Sequence, residues 1–134
     1  MRQSLLWLRV EALVALGGGV LIMFWVNAYE RLPVWAIILV LAAPDLSIAG
    51  YRVGPKFGAW VYNLAHSYAV PAMLGLAALY LLWTTSASDV LRLTESVLQI
   101  VLLWIIHISA DRVLGFGLKE SSGFKHTHLS RKRR

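Results

Sequence analysis

Apolar residues occur in four long runs, which polar or proline-containing stretches separate. The runs predict helices at about residues 4–29, 33–50, 56–83 and 90–115. At about 1.5 Å per residue, each run is long enough to cross a hydrocarbon layer of roughly 30 Å, and Pro71 is expected to kink the third helix. The predicted fold is all-α: an integral membrane four-helix bundle over residues 1–118, followed by a basic cytoplasmic tail at 119–134.

Composition agrees with a membrane location. Hydrophobic residues make up 58% of the chain and charged residues 15%, with a mean hydropathy of +0.64. A soluble domain typically carries about 25% charged residues and would leave too much of this apolar surface in water. Cysteine is absent, which excludes disulfides, thiolate metal sites and thiol nucleophiles.

Basic residues lie mainly at one end of the predicted bundle. They occur near the N-terminus, in the second loop and in the tail: Arg2, Arg9, Arg52, Lys56, Arg112, Lys119, Lys125 and residues 131–134. The positive-inside rule then predicts a multi-pass protein of the inner (plasma) membrane with both termini in the cytoplasm. The tail is expected to bind acidic lipid headgroups. It lacks the interleaved aromatic residues of single-strand binders, so no nucleic-acid partner is expected.

Ionisable and strongly polar residues within the predicted spans lie at a common depth. All of them fall in the cytoplasmic half: Glu11, Asp45, Asn63, His66, His107 and Asp111. A charged side chain in the bilayer interior costs about 2.5–3.5 kcal/mol, so such groups usually face the bundle interior and pair. The common depth therefore predicts a shared polar chamber.

Four residues of this layer, here called the His/Asp cluster, are expected to converge between the second, third and fourth helices. They are Asp45, His66, His107 and Asp111. Residues i and i+4 share a helix face, which applies to His107 and Asp111. Two imidazoles and two carboxylates suit a divalent zinc, manganese or iron ion, and ligand type alone does not separate these metals. The alternative is that the same groups only join helices by hydrogen bonds.

Further candidates surround the predicted cluster. Tyr62 and Asn63, on the same helix as His66, are expected to support the ligands from behind. Glu11 is a candidate general base, and Arg52 and Arg112 are candidates to bind an anionic headgroup. Three residues of the tail form a candidate lid: Lys119, His126 and His128.

Several motifs carry a family resemblance. They are contained in "PDLSIAGYRVGPKFGAWVYNLAHSYAVP", "HISADRVLGFGLK" and "FKHTHL". Over about Leu8 to Leu129 the chain resembles a small bacterial membrane family catalogued as domain of unknown function 4260. The resemblance implies a four-helix integral membrane protein and assigns no activity.

A weaker similarity extends to membrane-bound metal-dependent hydrolase-like families. These also combine a Pro-Asp helix end, a histidine in the following helix and a late His-xxx-Asp pair. The resemblance implies the four residues of the His/Asp cluster as counterparts. The pattern differs at Ser47, which stands where a Pro-Asp-x-Asp motif has its second aspartate.

Three functions are compatible with these patterns. One is a metal-dependent hydrolase that acts on a membrane-associated anionic substrate at the cytoplasmic leaflet. Another is a small proton-coupled transporter, in which buried histidines and aspartates relay protons. The third is a structural or partner-binding subunit, in which these residues only pair helices. The sequence does not indicate an oligomeric state.

Overall fold

The structure, a computed structural model, describes residues 2–26, 32–121 and 127. Within these residues it is helical, apart from turns and an isolated antiparallel β-bridge between Lys119 and Thr127. The elements are α1 (Arg2–Val26), α2 (Val34–Ala42), the 3₁₀ helix η1 (Ala43–Arg52), α3 (Pro55–Ala65), α4 (Ala69–Thr84) and α5 (Ser88–Leu114). The prediction of an all-α chain is confirmed.

Four stretches of the described chain are long and apolar enough to cross a membrane. They are Gln3–Trp25, Val34–Arg52, Pro55–Thr84 and Ser88–Leu114. Their large apolar side chains lie outward, as with Trp83, which is 85% exposed, and Phe24, which is 76% exposed. Soluble monomers rarely expose apolar surface on this scale. The chain is therefore a multi-pass membrane protein.

Helix α5 is the centre of the bundle, because α1 and α4 both pack against it. Its buried side chains include Leu103 and Ile108. Helix α1 comes closest at Gly19, where an added Cβ would lie 2.9 Å from the Cγ1 atom of Ile106. The missing side chain at Gly19 thus lets two membrane helices approach closely.

An apolar groove of about 720 Å³ runs between α1 and α4, with α5 as its floor. Leu98, Leu102 and Ile105 are among the floor residues. With 3.6 residues per turn, these three side chains lie on the opposite side of α5 from His107 and Asp111. The helix therefore has an apolar face toward the groove and a polar face toward α3.

The 3₁₀ helix packs tightly against α3. Gly58 on α3 makes this possible, because an added Cβ would overlap the ring of Tyr51. A 3₁₀ helix has about three residues per turn, so Asp45 and Tyr51, two turns apart, point the same way. The contact that seats Tyr51 on α3 therefore also turns Asp45 toward α3.

The third span is interrupted at residues 66–68, between the end of α3 at Ala65 and the start of α4 at Ala69. The sequence predicted one helix with a kink at Pro71. Pro71 instead lies fully buried in the first turn of α4, where a proline is tolerated because its missing N–H has no helical partner anyway. The interruption leaves His66 at the C-terminal end of α3.

Helix α5 ends in a Schellman motif. Gly115 has a left-handed backbone (φ 92°), and its N–H donates to the carbonyl of Arg112. The N–H of Phe116 donates to the carbonyl of Asp111 at 2.8 Å. This pair of bonds satisfies the last carbonyls of the helix and reverses the chain. The segment after α5 therefore turns back toward α3.

Candidate metal centre

The structure brings the four residues of the His/Asp cluster together from three elements. Asp45 comes from η1, His66 from the end of α3, and His107 and Asp111 from successive turns of α5. One ligand atom from each residue lies within 4.8 Å of those of the other three. This is the convergence that the common depth and the i,i+4 spacing predicted, whereas the role of these residues as metal ligands stays a prediction.

The distances within the cluster are short and similar. The Nε2 atom of His66 lies 3.4 Å from Asp45 Oδ1 and 3.6 Å from Asp111 Oδ2. The Nε2 atom of His107 lies 3.7 and 3.9 Å from the same two oxygens. The two Nε2 atoms are 3.3 Å apart. Five of the six distances between the four atoms therefore fall between 3.3 and 3.9 Å.

The tautomer of His66 follows from its hydrogen bond. Its Nδ1 atom lies 3.0 Å from the carbonyl oxygen of Tyr62, and a carbonyl only accepts, so Nδ1 carries the proton. In the neutral ring Nε2 then presents a lone pair to the two carboxylates. A proton on His107 Nε2 satisfies a single one of these acceptors. A cation between the four atoms, or additional protons, is needed to relieve the remaining contacts between lone pairs.

The cluster is buried on one side and open on the other. The side chain of His66 is 4% exposed and that of Asp45 is 53% exposed. Next to it lies a recess of about 10 Å³, lined in part by His66, Asp111 and Arg112. A cavity of this size is close to the minimum that holds one water molecule. The arrangement thus offers four protein ligands, access on the Asp45 side and space for a water.

Of the two predicted supporting residues, Tyr62 contacts the cluster. Its ring stacks on the His66 imidazole, with centroids 3.8 Å apart and planes at 8°, and its hydroxyl hydrogen-bonds to Asp111. Asn63 forms its hydrogen bonds elsewhere, to the backbone of Lys119. Asn63 therefore joins α3 to the segment after α5, a link that the spacing of Asn63 and His66 did not indicate.

Lys119 lies beside the cluster. Its Nζ atom is 5.1 Å from the centroid of the Tyr62 ring. Burial lowers the pKa of the Lys119 ammonium, and the nearby Asp111 carboxylate partly opposes this effect. The other two residues of the candidate lid, His126 and His128, lie outside the described residues.

The remaining candidates occupy different positions. Glu11 is exposed on α1 and is not among the converging ligand atoms of the described residues. Arg52 is exposed in the last turn of η1. Arg112 borders the recess, and its guanidinium carbon lies 4.7 Å from the centroid of the Tyr68 ring. The geometry therefore brings Arg112, but not Glu11, to the cluster.

Sequence reasoning missed two hydrogen bonds that hold α5 against the end of α3 and the start of α4. The indole N–H of Trp104 donates to the carbonyl of Ala65 at 2.6 Å, one residue before His66. The hydroxyls of Tyr68 and Ser109 are 3.0 Å apart. Trp104 is three residues before His107 and so lies on the same helix face, which was the available signal. The sequence instead suggested an interfacial tryptophan.

Comparison with known proteins identifies a family. The family model described as Domain of unknown function (DUF4260) matches residues 5–131, which is nearly the whole chain. No curated protein and no solved structure matches the chain. The similarity to hydrolase-like families therefore stays a prediction.

Proposed function

The chain belongs to the family Domain of unknown function (DUF4260), and from the geometry of the His/Asp cluster we propose that it is a membrane-embedded, metal-dependent hydrolase. The observation that carries the proposal is the convergence of four ligand atoms within 4.8 Å of one another. Two histidines and two aspartates seldom converge in a bilayer without a cation, because isolated charges are costly there.

The spacing of the cluster supports a bound divalent ion. Ligands about 2.1 Å from a tetrahedral zinc ion lie about 3.4 Å from one another. The distances from His66 Nε2 to His107 Nε2, Asp45 and Asp111, which are 3.3, 3.4 and 3.6 Å, are close to this value. Zinc, manganese and iron all accept this ligand set. Tyr62 and its carbonyl hold His66 in the orientation that metal binding requires.

Openness at Asp45 supports a catalytic site over a purely structural one. Structural zinc sites are closed by four protein ligands, whereas catalytic sites keep a position for water or substrate. Asp45, 53% exposed, is the ligand that a substrate reaches first, and the recess beside His66 and Asp111 provides space for the attacking water. A divalent ion would polarise the scissile group and acidify that water.

The charge distribution supports a cytoplasmic site and an anionic substrate. Arg52 ends η1 and Arg112 follows Asp111, so both lie at the end of the bundle that carries the cluster. By the positive-inside rule this end, with both termini, faces the cytoplasm at the inner membrane. The proposed substrate is an anionic group at the cytoplasmic surface, where Arg112 lines the recess beside two proposed metal ligands.

Elemental analysis of the detergent-purified protein tests the metal. About one divalent ion per chain is expected. Asp111→Asn should lose the ion, whereas Glu95→Gln, the same acid-to-amide change on the other face of α5, should retain it. Far-UV circular dichroism of all three proteins verifies that the helices remain. A metal-free wild-type protein with intact helices would contradict the proposal.

Hydrolysis is tested separately with a chromogenic phosphate ester and a chromogenic carboxylic ester. The metal-loaded protein should turn over at least one of them, and a chelator should abolish the turnover. A protein that retains its ion but hydrolyses neither ester would leave a metal site and contradict the enzymatic part. Metal-independent proton flux in proteoliposomes that Asp111→Asn abolishes would contradict both parts.

A further inference from the structure

A reciprocal pair of hydrogen bonds connects α3 to the segment after α5. The side-chain amide of Asn63 donates from Nδ2 to the carbonyl of Lys119 at 2.9 Å, and its Oδ1 accepts from the Lys119 N–H at 2.7 Å. The two residues are 56 positions apart in the sequence. An amide side chain that satisfies both backbone groups of one residue fixes that residue's position more strictly than a single bond would.

The chain reaches Asn63 because of the turn that ends α5. The left-handed Gly115 reverses the backbone, and the N–H of Phe116 donates to the carbonyl of Asp111, itself a proposed metal ligand. Beyond Asn63, the Lys119 backbone also forms an antiparallel bridge with Thr127, which is 7% exposed. Lys119 is therefore held from two directions within the described residues.

The side chain of Lys119 is directed to the proposed metal site. Its Nζ atom lies 5.1 Å from the centroid of the Tyr62 ring, and that ring stacks on His66 at 3.8 Å. The ammonium is also within electrostatic reach of Asp111. Flexible lysines usually place their charge in water, so a partly buried ammonium beside proposed metal ligands requires a reason.

Charge balance suggests that reason. A divalent ion would neutralise the two carboxylates of the cluster, whose imidazoles are neutral as ligands. Lys119 and Arg112, on two sides of the same site, would then carry positive charge without a matching anion. Two cations and a divalent ion suit a tetrahedral dianion, which a phosphate group provides.

Resting on the function proposed above, we propose that Lys119 binds the phosphate group of the substrate and that Asn63 is the positioning residue that holds it there. The substrate class is then a phosphate monoester. This chemistry occurs both in soluble molecules and in the headgroup of a phosphomonoester lipid.

Binding of inorganic phosphate to the metal-loaded, full-length protein tests the proposal by titration calorimetry. Lys119→Met should weaken phosphate binding about tenfold, as expected for loss of one charge-assisted hydrogen bond, and Lys119→Arg should restore part of it. Lys56→Met removes an exposed lysine from the first turn of α3 and is the matched control, with unchanged binding expected. Equal phosphate affinity in Lys119→Met and Lys56→Met would overturn the proposal.

Asn63→Ala tests the positioning role. It should weaken phosphate binding nearly as much as Lys119→Met while the affinity for the metal alone stays within about twofold, a division that general loosening of the fold would not produce. A parallel loss of metal and phosphate affinity would overturn the positioning role. A wild-type protein without metal would instead contradict the proposed function, so the two failures are distinguishable.

Competition identifies the source of the phosphate group. Mixed micelles that contain phosphatidic acid should displace inorganic phosphate, and phosphatidylcholine micelles should not, if the group belongs to a lipid. Displacement by a soluble phosphate monoester alone would assign it to a soluble substrate. Displacement by none of these would overturn the assigned substrate class.

Discussion

The two faces of α5 differ in how tightly they specify the structure. On one face, His107 and Asp111 meet α3 and η1 through contacts with defined donors, acceptors and distances. On the other face, Leu102 and Ile105 border an open apolar groove between α1 and α4. Polar contacts are directional, whereas in a bilayer a groove of this kind is filled by lipid tails as apolar as its walls. Substitutions should therefore be costly on the polar side and tolerated on the groove side.

The largest expected effect is that of Gly58→Ala. The new Cβ would overlap the Tyr51 ring and push η1, with Asp45, away from α3. We expect a loss of about 2–3 kcal/mol in the free energy of unfolding and a loss of metal affinity. Gly17→Ala is the matched control, because nothing lies within 4 Å of its added Cβ. Unfolding in mixed detergent micelles measures both, and equal stability of the two variants would contradict the close packing of η1 on α3.

Trp104→Phe should have the next largest effect. It removes the indole N–H and leaves the carbonyl of Ala65, before His66, without this donor. The expected loss is about 1–2 kcal/mol, with a weaker metal affinity because His66 is less well held. Trp83→Phe changes the same chemistry at a side chain that is 85% exposed and should change neither quantity. Chelator competition measures the affinity, and an unchanged value in Trp104→Phe would remove Trp104 from the support of the site.

Ser109→Ala is expected to cost about 1 kcal/mol, because it removes the hydrogen bond with Tyr68 that joins α5 to the start of α4. Ser96→Ala is its control. Both serines donate to a carbonyl of their own helix, four residues before, so the difference between the two variants isolates the contact with Tyr68. If thermal unfolding in micelles gives the same midpoint for both, this contact contributes nothing.

The smallest effect is expected on the groove side. Leu76 lines the groove and is 68% exposed, so Leu76→Ala exchanges side-chain contacts for lipid contacts. The free energy of unfolding should change by no more than about 0.5 kcal/mol. A loss comparable to that of Gly58→Ala, measured in the same micelles, would show that the groove is as strictly packed as the polar face.

The comparison also explains what could be predicted from the sequence. The four spans follow from apolar runs, and the cluster follows from residues such as His107 and Asp111, whose i,i+4 spacing and depth are readable along one chain. The partner of Asn63 could not be found this way. It is a backbone group 56 positions away, and any residue at position 119 other than proline would present the same N–H and carbonyl.

Local conformation was equally hidden. The 3₁₀ form of residues 43–52 depends on the contact of Tyr51 with Gly58, and the break at residues 66–68 coincides with the Trp104–Ala65 hydrogen bond. Both are tertiary contacts, so neither leaves a periodic signal in its own segment. Pro71, which does leave a signal, is absorbed in the first turn of α4.

The 3₁₀ conformation of η1 also affects how the chain matches the thickness of the bilayer. Val34–Arg52 is the shortest of the four spans, with 19 residues. At a rise of about 1.5 Å per α-helical residue and about 2.0 Å per 3₁₀ residue, it extends about 34 Å, whereas a continuous α-helix would reach about 28 Å. The hydrocarbon core is about 30 Å thick, so the stretched segment avoids a hydrophobic mismatch that would otherwise thin the membrane around Asp45.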